Sequence, residues 1–292
     1  MYKIRHIRHG VAGSRDVREP VTGKQKARVY AGMAALCSLA VMTLSPAYCI
    51  PSQDSMYGPR AAGTLYQEGG VTDADLAMIE DVYSGAMASV DGRYCTEKYY
   101  QASPQGNWTR AMEVCRFYSV KPGQIQLRYA PSGSGLCQVS VEIGGADMEA
   151  VRRREAAYLA EVERLVAEAE GKTPEEKVRF FHDYLAAHCG YDDSLTRSRA
   201  YDCLVTGSSV CNGYAAAFYS LCRAAGLEAN YISGKASVQG VGEIPHAWNR
   251  VKLSDGQWYY YDVTWDDSTS SDQYYGLDEA EISRDHFPET VV

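Results

Sequence analysis

Apolar residues recur at helical spacing in two long segments of the chain. The first covers residues 74–90, and Asp73 can cap it. The second begins at Asp147 and ends at Gly171. Its apolar positions share one face of a helix: Met148, Val151, Val162, Leu165 and Ala169. The pattern predicts two amphipathic helices.

A third helix carries a complete start signal. Thr173 is typical of an N-cap, Pro174 of the first helical position, and Glu176 of the third position in a capping box. Its buried stripe would consist of Val178, Phe181 and Leu185. His182 lies on the same helix, and we interpret it as a hydrogen-bonded residue that packs the helix against the core.

A fourth helix begins at a cysteine. Residues 190–210 have no periodicity and are predicted to be mostly loop, whereas apolar residues recur at helical spacing between Cys211 and Gly226. A thiol in the first turn of a helix lies near unpaired N–H groups, which lowers its pKa and favours the nucleophilic thiolate. Gly213 would let another backbone or a substrate approach closely. The alternative is a buried structural cysteine, a frequent role of this residue type.

Alternating apolar and polar residues predict several strands. The segments 124–130 and 136–143 flank a stretch of Pro, Ser and Gly and predict a β-hairpin. With the first helix, this hairpin would form a small N-terminal module over residues 50–145, to which we assign no function. Three further strands are expected at residues 227–233, 245–253 and 257–264.

The first 49 residues have the features of a targeting segment. Residues 1–28 contain eight Lys and Arg residues against two acidic ones, and an apolar run without charges follows. The small residues Ser45 and Ala47 fit a signal peptide that is cleaved after Ala47. An uncleaved N-terminal membrane anchor is the alternative. Either interpretation predicts an extracytoplasmic protein, secreted or anchored at the cell surface.

The charge of the chain is unevenly distributed. The net charge is −8 although the targeting segment is basic, so the rest of the chain is strongly acidic. An acidic body repels polyanions, and we therefore expect no nucleic acid and no anionic membrane surface as its partner. The hydrophobic content of 46% and the charged content of 23% are ordinary for a globular protein.

Seven cysteines follow the targeting segment, and an odd number outside the cytoplasm leaves at least one thiol unpaired. Cys211 is the natural candidate, although a disulfide to Cys203 or Cys222 is the structural alternative. A disulfide within the N-terminal module would join two of Cys95, Cys115 and Cys137. The sequence has no Cys-x-x-Cys pair, so it does not predict a structural zinc site.

A nucleophilic thiol needs a base and a group that orients the base. His246 enters one predicted strand, and Asp262 lies in the next among aromatic and β-branched residues, where a carboxylate needs a polar partner. A two-residue turn would place the two side chains on opposite faces of the sheet. A three-residue turn over 254–256, with positive φ at Gly256, would make them diagonal neighbours on one face. The catalytic interpretation therefore predicts the three-residue turn.

Three motifs resemble the transglutaminase-like superfamily, especially its bacterial extracytoplasmic branch: Val210-Cys211-Asn212-Gly213-Tyr214-Ala215, His246-Ala247-Trp248-Asn249 and Trp258-Tyr259-Tyr260-Tyr261-Asp262-Val263-Thr264-Trp265-Asp266. Other similar segments are His182-Asp183-Tyr184-Leu185, Tyr191-Asp192 and the tail from Tyr274 to His286. The resemblance covers about residues 173–286. It implies an α+β fold with a papain-like core, in which the cysteine helix packs against an antiparallel sheet. The corresponding domain would span residues 146–292.

The resemblance also implies roles for three residues. Cys211 would be the nucleophile, His246 the general base and acid, and Asp262 the group that orients His246. The expected activity is thiol-dependent acyl transfer on peptide or glutamine-type amides, as a transglutaminase-like acyltransferase or a cysteine peptidase. Its substrates would be proteins or peptides, including cell-wall peptides. A catalytically inactive binding or scaffolding module on the same fold is the alternative.

The sequence leaves the oxyanion hole of this candidate enzyme incomplete. Such a site needs a second donor besides the Cys211 backbone N–H, and the Trp or Gln that many relatives place upstream of the cysteine is absent from residues 190–210. Tyr191 is the candidate substitute, with Trp248 and Tyr214 as further oxyanion or cleft candidates. We expect no cofactor and no metal, since calcium-ligand spacing is missing around Asp266, Asp267 and Asp272.

Overall fold

The computed structural model of the chain describes residues 73–101, 118–121 and 123–292. The predicted targeting segment and Cys115 lie outside these residues. Within them, none of the helices is long and apolar enough to cross a membrane.

The described residues form a mixed α+β structure, as predicted. Their helices are α1 (Asp73–Ala88), α2 (Met148–Glu168), α3 (Pro174–His188), α4 (Ala200–Leu204), α5 (Cys211–Ala224), α6 (Val263–Thr269) and α7 (Glu279–Ile282). Their strands are β1 (Arg93–Cys95), β2 (Tyr100–Gln101), β3 (Ile125–Pro131), β4 (Leu136–Ile143), β5 (Gly190–Tyr191), β6 (Ser208–Ser209), β7 (Ala229–Val238), β8 (Gly242–Lys252), β9 (Trp258–Tyr261), β10 (Tyr275–Leu277) and β11 (His286–Val291).

The N-terminal part of the structure consists of α1 and a small antiparallel sheet. The predicted hairpin is confirmed as β3 and β4, which pair from Ile125 opposite Ile143 to Pro131 opposite Cys137. β1 and β2 pair with the other edge of β4. The predicted helix is confirmed as α1, which buries Met78, Ile79, Val82, Tyr83 and Ala86. Apolar burial on both elements therefore joins helix and sheet.

The two predicted central helices start where their capping signals lie. The Asp147 carboxylate accepts from the N–H groups of Glu149 and Ala150 at the start of α2. At the start of α3, Thr173 and Glu176 form the predicted capping box. The five predicted apolar positions of α2 and the three of α3 are all buried. In both helices, the capping residues and the buried apolar face are thus those that the sequence predicted.

The main sheet is antiparallel, with five strands in the order β10-β9-β8-β7-β11. α5 packs against one face of it, where Asn249 Nδ2 donates to the carbonyl of Ala215 at 2.9 Å and the rings of Phe218 and Tyr261 lie 5.6 Å apart. The opposite face carries His246 and Trp248, because side chains alternate along β8. Both helices and strands of the predicted core are therefore present.

The turn between β8 and β9 has the predicted three residues. Lys252 pairs with Trp258, so Leu253 and Gln257 close the loop, and the Leu253 N–H donates to the Gln257 carbonyl at 3.0 Å. Gly256 has a φ of 79°, in the left-handed region that glycine adopts without steric cost. The register confirms the prediction that His246 and Asp262 share one side of the sheet.

One prediction of secondary structure was confirmed and one was wrong. Residues 190–210 are mostly loop, as predicted, but they also contain the parallel pair of β5 and β6 and the short helix α4. These elements are too short to show a period in the sequence. The strand expected at 257–264 ends at Tyr261, and α6 begins at Val263. Asp262 ends the strand because its side chain caps the helix.

Gly213 allows the close approach that its position predicted. A Cβ built at this residue would lie 2.0 Å from Ser209 Oγ and 2.6 Å from the Arg199 carbonyl oxygen. Contacts this short leave room only for hydrogen at this position. The loop before α5 is therefore packed directly onto the first turn of the helix.

Candidate active site

Cys211 is the first residue of α5, and the residue before it offers the helix no side-chain cap. Val210 occupies the N-cap position with an extended backbone and has no side-chain oxygen to accept from the first N–H groups. The thiol therefore lies in the first turn of the helix, near the positive end of its dipole. The Cys211 residue is 4% exposed, and its Sγ lies 3.5 Å from Asn212 Oδ1.

The other thiols of the region have different surroundings. All six described cysteines are reduced, so the alternative disulfides from Cys211 to Cys203 or Cys222 are not formed. Burial raises the pKa of the Cys203 thiol well above its ordinary value, and burial likewise raises that of Cys222. These two thiols behave as small hydrophobic groups in the core.

His246 and Asp262 meet in a direct hydrogen bond. His246 Nε2 lies 2.7 Å from Asp262 Oδ2, and both side chains are almost fully buried. A carboxylate only accepts, so the His246 proton sits on Nε2 and the lone pair on Nδ1. Within the described part of the chain, Nδ1 is buried and has no hydrogen-bond partner. This nitrogen is thus the one that can accept a proton from a nucleophile.

Asp262 is held by donors on several sides. Its Oδ1 accepts from the backbone N–H of Trp265 at 3.2 Å, and Oδ2 faces both His246 and His286. Burial by itself would raise the pKa of Asp262, but His246 and then His286 lower it well below its ordinary value. The carboxylate is therefore ionised and fixed in one orientation.

Sequence reasoning assigned no role to His286. Its Nε2 lies 3.2 Å from Asp262 Oδ2, and its Nδ1 lies 2.6 Å from Asp285 Oδ1. The residue follows Asp262 by two dozen positions and belongs to a different strand, so no spacing rule links the two. The only signal for it in the sequence was its place in the tail that resembles the superfamily.

Short elements link the surroundings of His246 to the segment before Cys211. The ring of Trp265 packs 5.0 Å from that of His246, and Tyr191 packs against the small apolar cluster that contains Trp265. Tyr191 pairs in turn with Ser209, two residues before Cys211. Backbone pairing of β5 with β6 thus links the Trp265 cluster beside His246 to the segment that leads into Cys211.

Residues 162–263 match the sequence profile of the Transglutaminase-like superfamily. This segment belongs to that superfamily. The human kyphoscoliosis peptidase is 31% identical over 144 residues, which cover 41% of this chain and 22% of the human protein. The mouse kyphoscoliosis peptidase is 31% identical over 138 residues, which cover 39% of this chain and 21% of the mouse protein. The chain therefore spans only about a fifth of these relatives.

Two solved structures are similar to the chain, both with low TM-scores. One is a TGase, with a TM-score of 0.33 and 17% identity over 59% of this chain and 50% of the other. The second is the periplasmic domain of TgpA from Pseudomonas aeruginosa, with a TM-score of 0.31 and 18% identity over 44% of this chain and 54% of the other.

Three candidate site residues of this superfamily domain lie in different places. Tyr191 is partly buried on β5 beside the Trp265 cluster. Tyr214 is fully buried, and its hydroxyl donates to Asp267 Oδ2 at 2.7 Å, so it belongs to the core and not to a cleft surface. Trp248 is also buried, with its ring 6.2 Å from that of His246. Tyr191 is therefore the strongest of the three for contact with a substrate.

His182 has the structural role that the sequence predicted. It is 1% exposed, and its Nε2 lies 3.1 Å from Asp266 Oδ2. Asp266 also accepts from the backbone N–H of Tyr274 at 2.8 Å. Burial raises the pKa of Asp266 despite these donors. The pair fixes α3 against α6, the helix that the Asp262 side chain caps.

Two groups of side chains in the described residues have ligand atoms close enough for a metal ion: His246, Asp262 and His286, and His182, Asp183 and Asp272. In the first group, hydrogen bonds to a single carboxylate oxygen already explain the short distances. In the second, Arg179 Nη1 lies 3.2 Å from Asp183 and 2.9 Å from Asp272. A guanidinium thus supplies the positive charge there.

Replacing Asp262 with Asn tests whether its charge holds the site together. Two histidines and a backbone N–H would lose their buried acceptor charge, and we expect the free energy of unfolding at pH 7 to fall by about 3–5 kcal/mol. Because the pKa of Asp262 is lowered by folding, its contribution exists above about pH 4 and is lost as the pH falls further. Urea unfolding at several pH values would measure both effects.

The matched control is Asp272→Asn, since the Asp272 side chain is 62% exposed and forms its ion pair with Arg179 at the surface. Its substitution should change the free energy of unfolding by less than about 1 kcal/mol. Equal stability losses for the two variants would contradict a special role of the Asp262 charge.

Proposed function

We propose that the chain is a thiol-dependent acyltransferase of the transglutaminase-like superfamily, acting on peptide or glutamine-type amides. The observation that carries this proposal is the hydrogen bond between His246 Nε2 and Asp262 Oδ2, which leaves His246 Nδ1 as a base. The position of Cys211 at an uncapped helix start supplies the matching nucleophile.

In the acylation half-reaction, His246 Nδ1 takes the proton from the Cys211 thiol. The sulfur attacks the amide carbonyl carbon, and the carbonyl oxygen becomes an oxyanion. When the C–N bond breaks, the protonated His246 returns the proton to the leaving nitrogen, which departs as ammonia or as an amine. The product on the enzyme is a thioester on Cys211.

In the second half-reaction, an acceptor attacks the thioester and His246 accepts its proton. Water gives a carboxylic acid, whereas an amine gives a new amide, and both restore the Cys211 thiol. The name of the human and mouse relatives, kyphoscoliosis peptidase, supports peptides as the substrate class and hydrolysis as one outcome. Substrates would be proteins or peptides, including cell-wall peptides outside the cytoplasm, as the basic and apolar N-terminal segment predicts.

Tyr191 is our proposal for the second oxyanion donor. The tetrahedral oxyanion needs a donor besides the Cys211 backbone N–H. Tyr191 pairs through its backbone with Ser209, two residues before Cys211, and packs against the cluster that contains Trp265, whose ring lies 5.0 Å from that of His246. A phenol at this place can donate to the developing charge without a charge of its own.

The activity assay compares the full chain with Cys211→Ala. Each protein is incubated with a glutamine-containing peptide amide, with and without a primary amine, while ammonia release and amide adducts are followed. We expect wild type to release ammonia or amine and the variant to lose at least about 10³-fold of that rate, since the nucleophile is gone. Cys222→Ala, which removes a core thiol, is the control. Identical ammonia and adduct traces for wild type and Cys211→Ala would contradict the proposed enzymatic activity and would favour the alternative, a catalytically inactive binding module.

Substitution of Tyr191 by Phe tests the oxyanion donor. Removal of one such donor lowers kcat by about 10²–10³-fold while KM changes little, because the interaction forms only in the transition state. Tyr259→Phe makes the same chemical change on β9, where the exposed hydroxyl donates to Asp255 in the adjoining turn. An unchanged kcat for Tyr191→Phe would assign the donor to another group.

A further inference from the structure

His286 occupies a buried position beside the candidate triad. It is the first residue of β11 and pairs with Ala236 on β7. Its side chain has no solvent exposure, as is also true of Asp262. The preceding residue, Asp285, is 30% exposed in its side chain and donates no proton to the ring. A polar ring in such a place needs partners at both nitrogens.

Both partners are carboxylates. Nε2 lies 3.2 Å from Asp262 Oδ2, and Nδ1 lies 2.6 Å from Asp285 Oδ1. A neutral imidazole has one N–H donor, so it would turn a lone pair toward one of the two carboxylates. The doubly protonated imidazolium satisfies both. The hydrogen-bond pattern by itself therefore assigns a positive charge to His286.

The surroundings of the ring favour the same charge. Aromatic rings enclose it, with centroids at 4.6 Å for Trp265, 4.9 Å for Trp248 and 5.4 Å for Tyr274. The Tyr274 hydroxyl donates to Asp285 Oδ2 at 2.8 Å and holds that carboxylate against His286. Burial opposes the charge, but the bonds to Asp262 and Asp285 raise the pKa of His286 above its ordinary value.

We propose that His286 is a positioning residue, a permanently protonated imidazolium that locks the Asp262 carboxylate so that Oδ2 faces His246 Nε2. This inference rests on the proposed function, because it concerns how the candidate base is oriented. Both carboxylate oxygens of Asp262 are hydrogen-bonded: Oδ1 accepts from the Trp265 N–H, and Oδ2 accepts from both histidines. Rotation of the carboxylate would break three hydrogen bonds.

Asp285 completes the charge balance of this arrangement. The His286 cation on its own would cancel the charge of Asp262 and leave nothing to stabilise a protonated His246. With Asp285, the three groups carry one net negative charge. That charge is available when His246 accepts the thiol proton, and the two ring centroids of His246 and His286 lie 5.6 Å apart. His286 therefore orients the carboxylate without removing its electrostatic effect.

The charge state is tested by ¹⁵N NMR of the imidazole rings in the full chain, with His286 assigned from the spectrum of His286→Gln. We expect both His286 nitrogens to stay protonated between about pH 5.5 and 8.5, beyond the ordinary range of a histidine. In Asp285→Asn, His286 should lose a proton at lower pH than in wild type. A wild-type His286 that is neutral at pH 7 would overturn the proposal.

Positioning is tested in the same spectra by the low-field proton of His246 Nε2, which reports its bond to Asp262. His286→Gln should broaden or remove this signal, while Glu289→Gln, an exposed change on the same strand, should leave it intact. If His286→Gln does not fold, Asp285→Asn should weaken the signal instead. An unchanged His246 proton in a folded variant would refute the positioning role. None of these signals needs turnover, so an inactive wild type would count against the proposed function alone.

Where wild type is active, the same variants separate positioning from general loss of structure. His286→Gln should lower kcat by about 10²-fold with KM nearly unchanged, as expected for a misplaced base. A rise in KM with kcat preserved would contradict this mechanism.

Discussion

The site depends on a buried ionised carboxylate at the end of a strand. Asp262 has no solvent exposure, and a lone charge in such a place would be far too costly to keep. The Trp265 backbone N–H and two histidine rings offset that cost. Because these donors come from α6, β8 and β11, the carboxylate fixes three elements at one point. The same bonds that stabilise the fold orient His246.

Local structure was largely predictable from the sequence, since its signals act over a few residues. The capping box at Thr173 and the turn glycine at Gly256 both lie where the physical rules place them. The turn length also fixed which side of the sheet His246 and Asp262 share. The end of β9 was missed because aromatic and β-branched residues continue past Asp262 and keep the composition of a strand. The bond by which Asp262 caps the next helix, to the Trp265 N–H, is visible only in three dimensions.

The long-range part of the site was beyond such rules. His286 reaches Asp262 from β11, and its sequence distance from Asp262 carries no periodic signal. The paired short strands β5 and β6 were read as loop because two residues cannot establish a period. Tyr191 could be proposed from the superfamily resemblance, but its neighbours became known only from the fold. Contacts between site residues that are far apart in the sequence could therefore be identified only from the structure.

The central claim is that His246, oriented by Asp262, activates the Cys211 thiol. The most direct measurement is the rate at which iodoacetamide alkylates Cys211 at pH 6, where an ordinary thiol is under about 1% ionised. Cys95, an exposed thiol, serves as the internal reference, and mass spectrometry quantifies both sites. We predict that Cys211 reacts faster than Cys95 in wild type and loses this advantage in His246→Ala. A Cys211 that reacts no faster than Cys95, or whose rate is unaffected by His246→Ala, would contradict it.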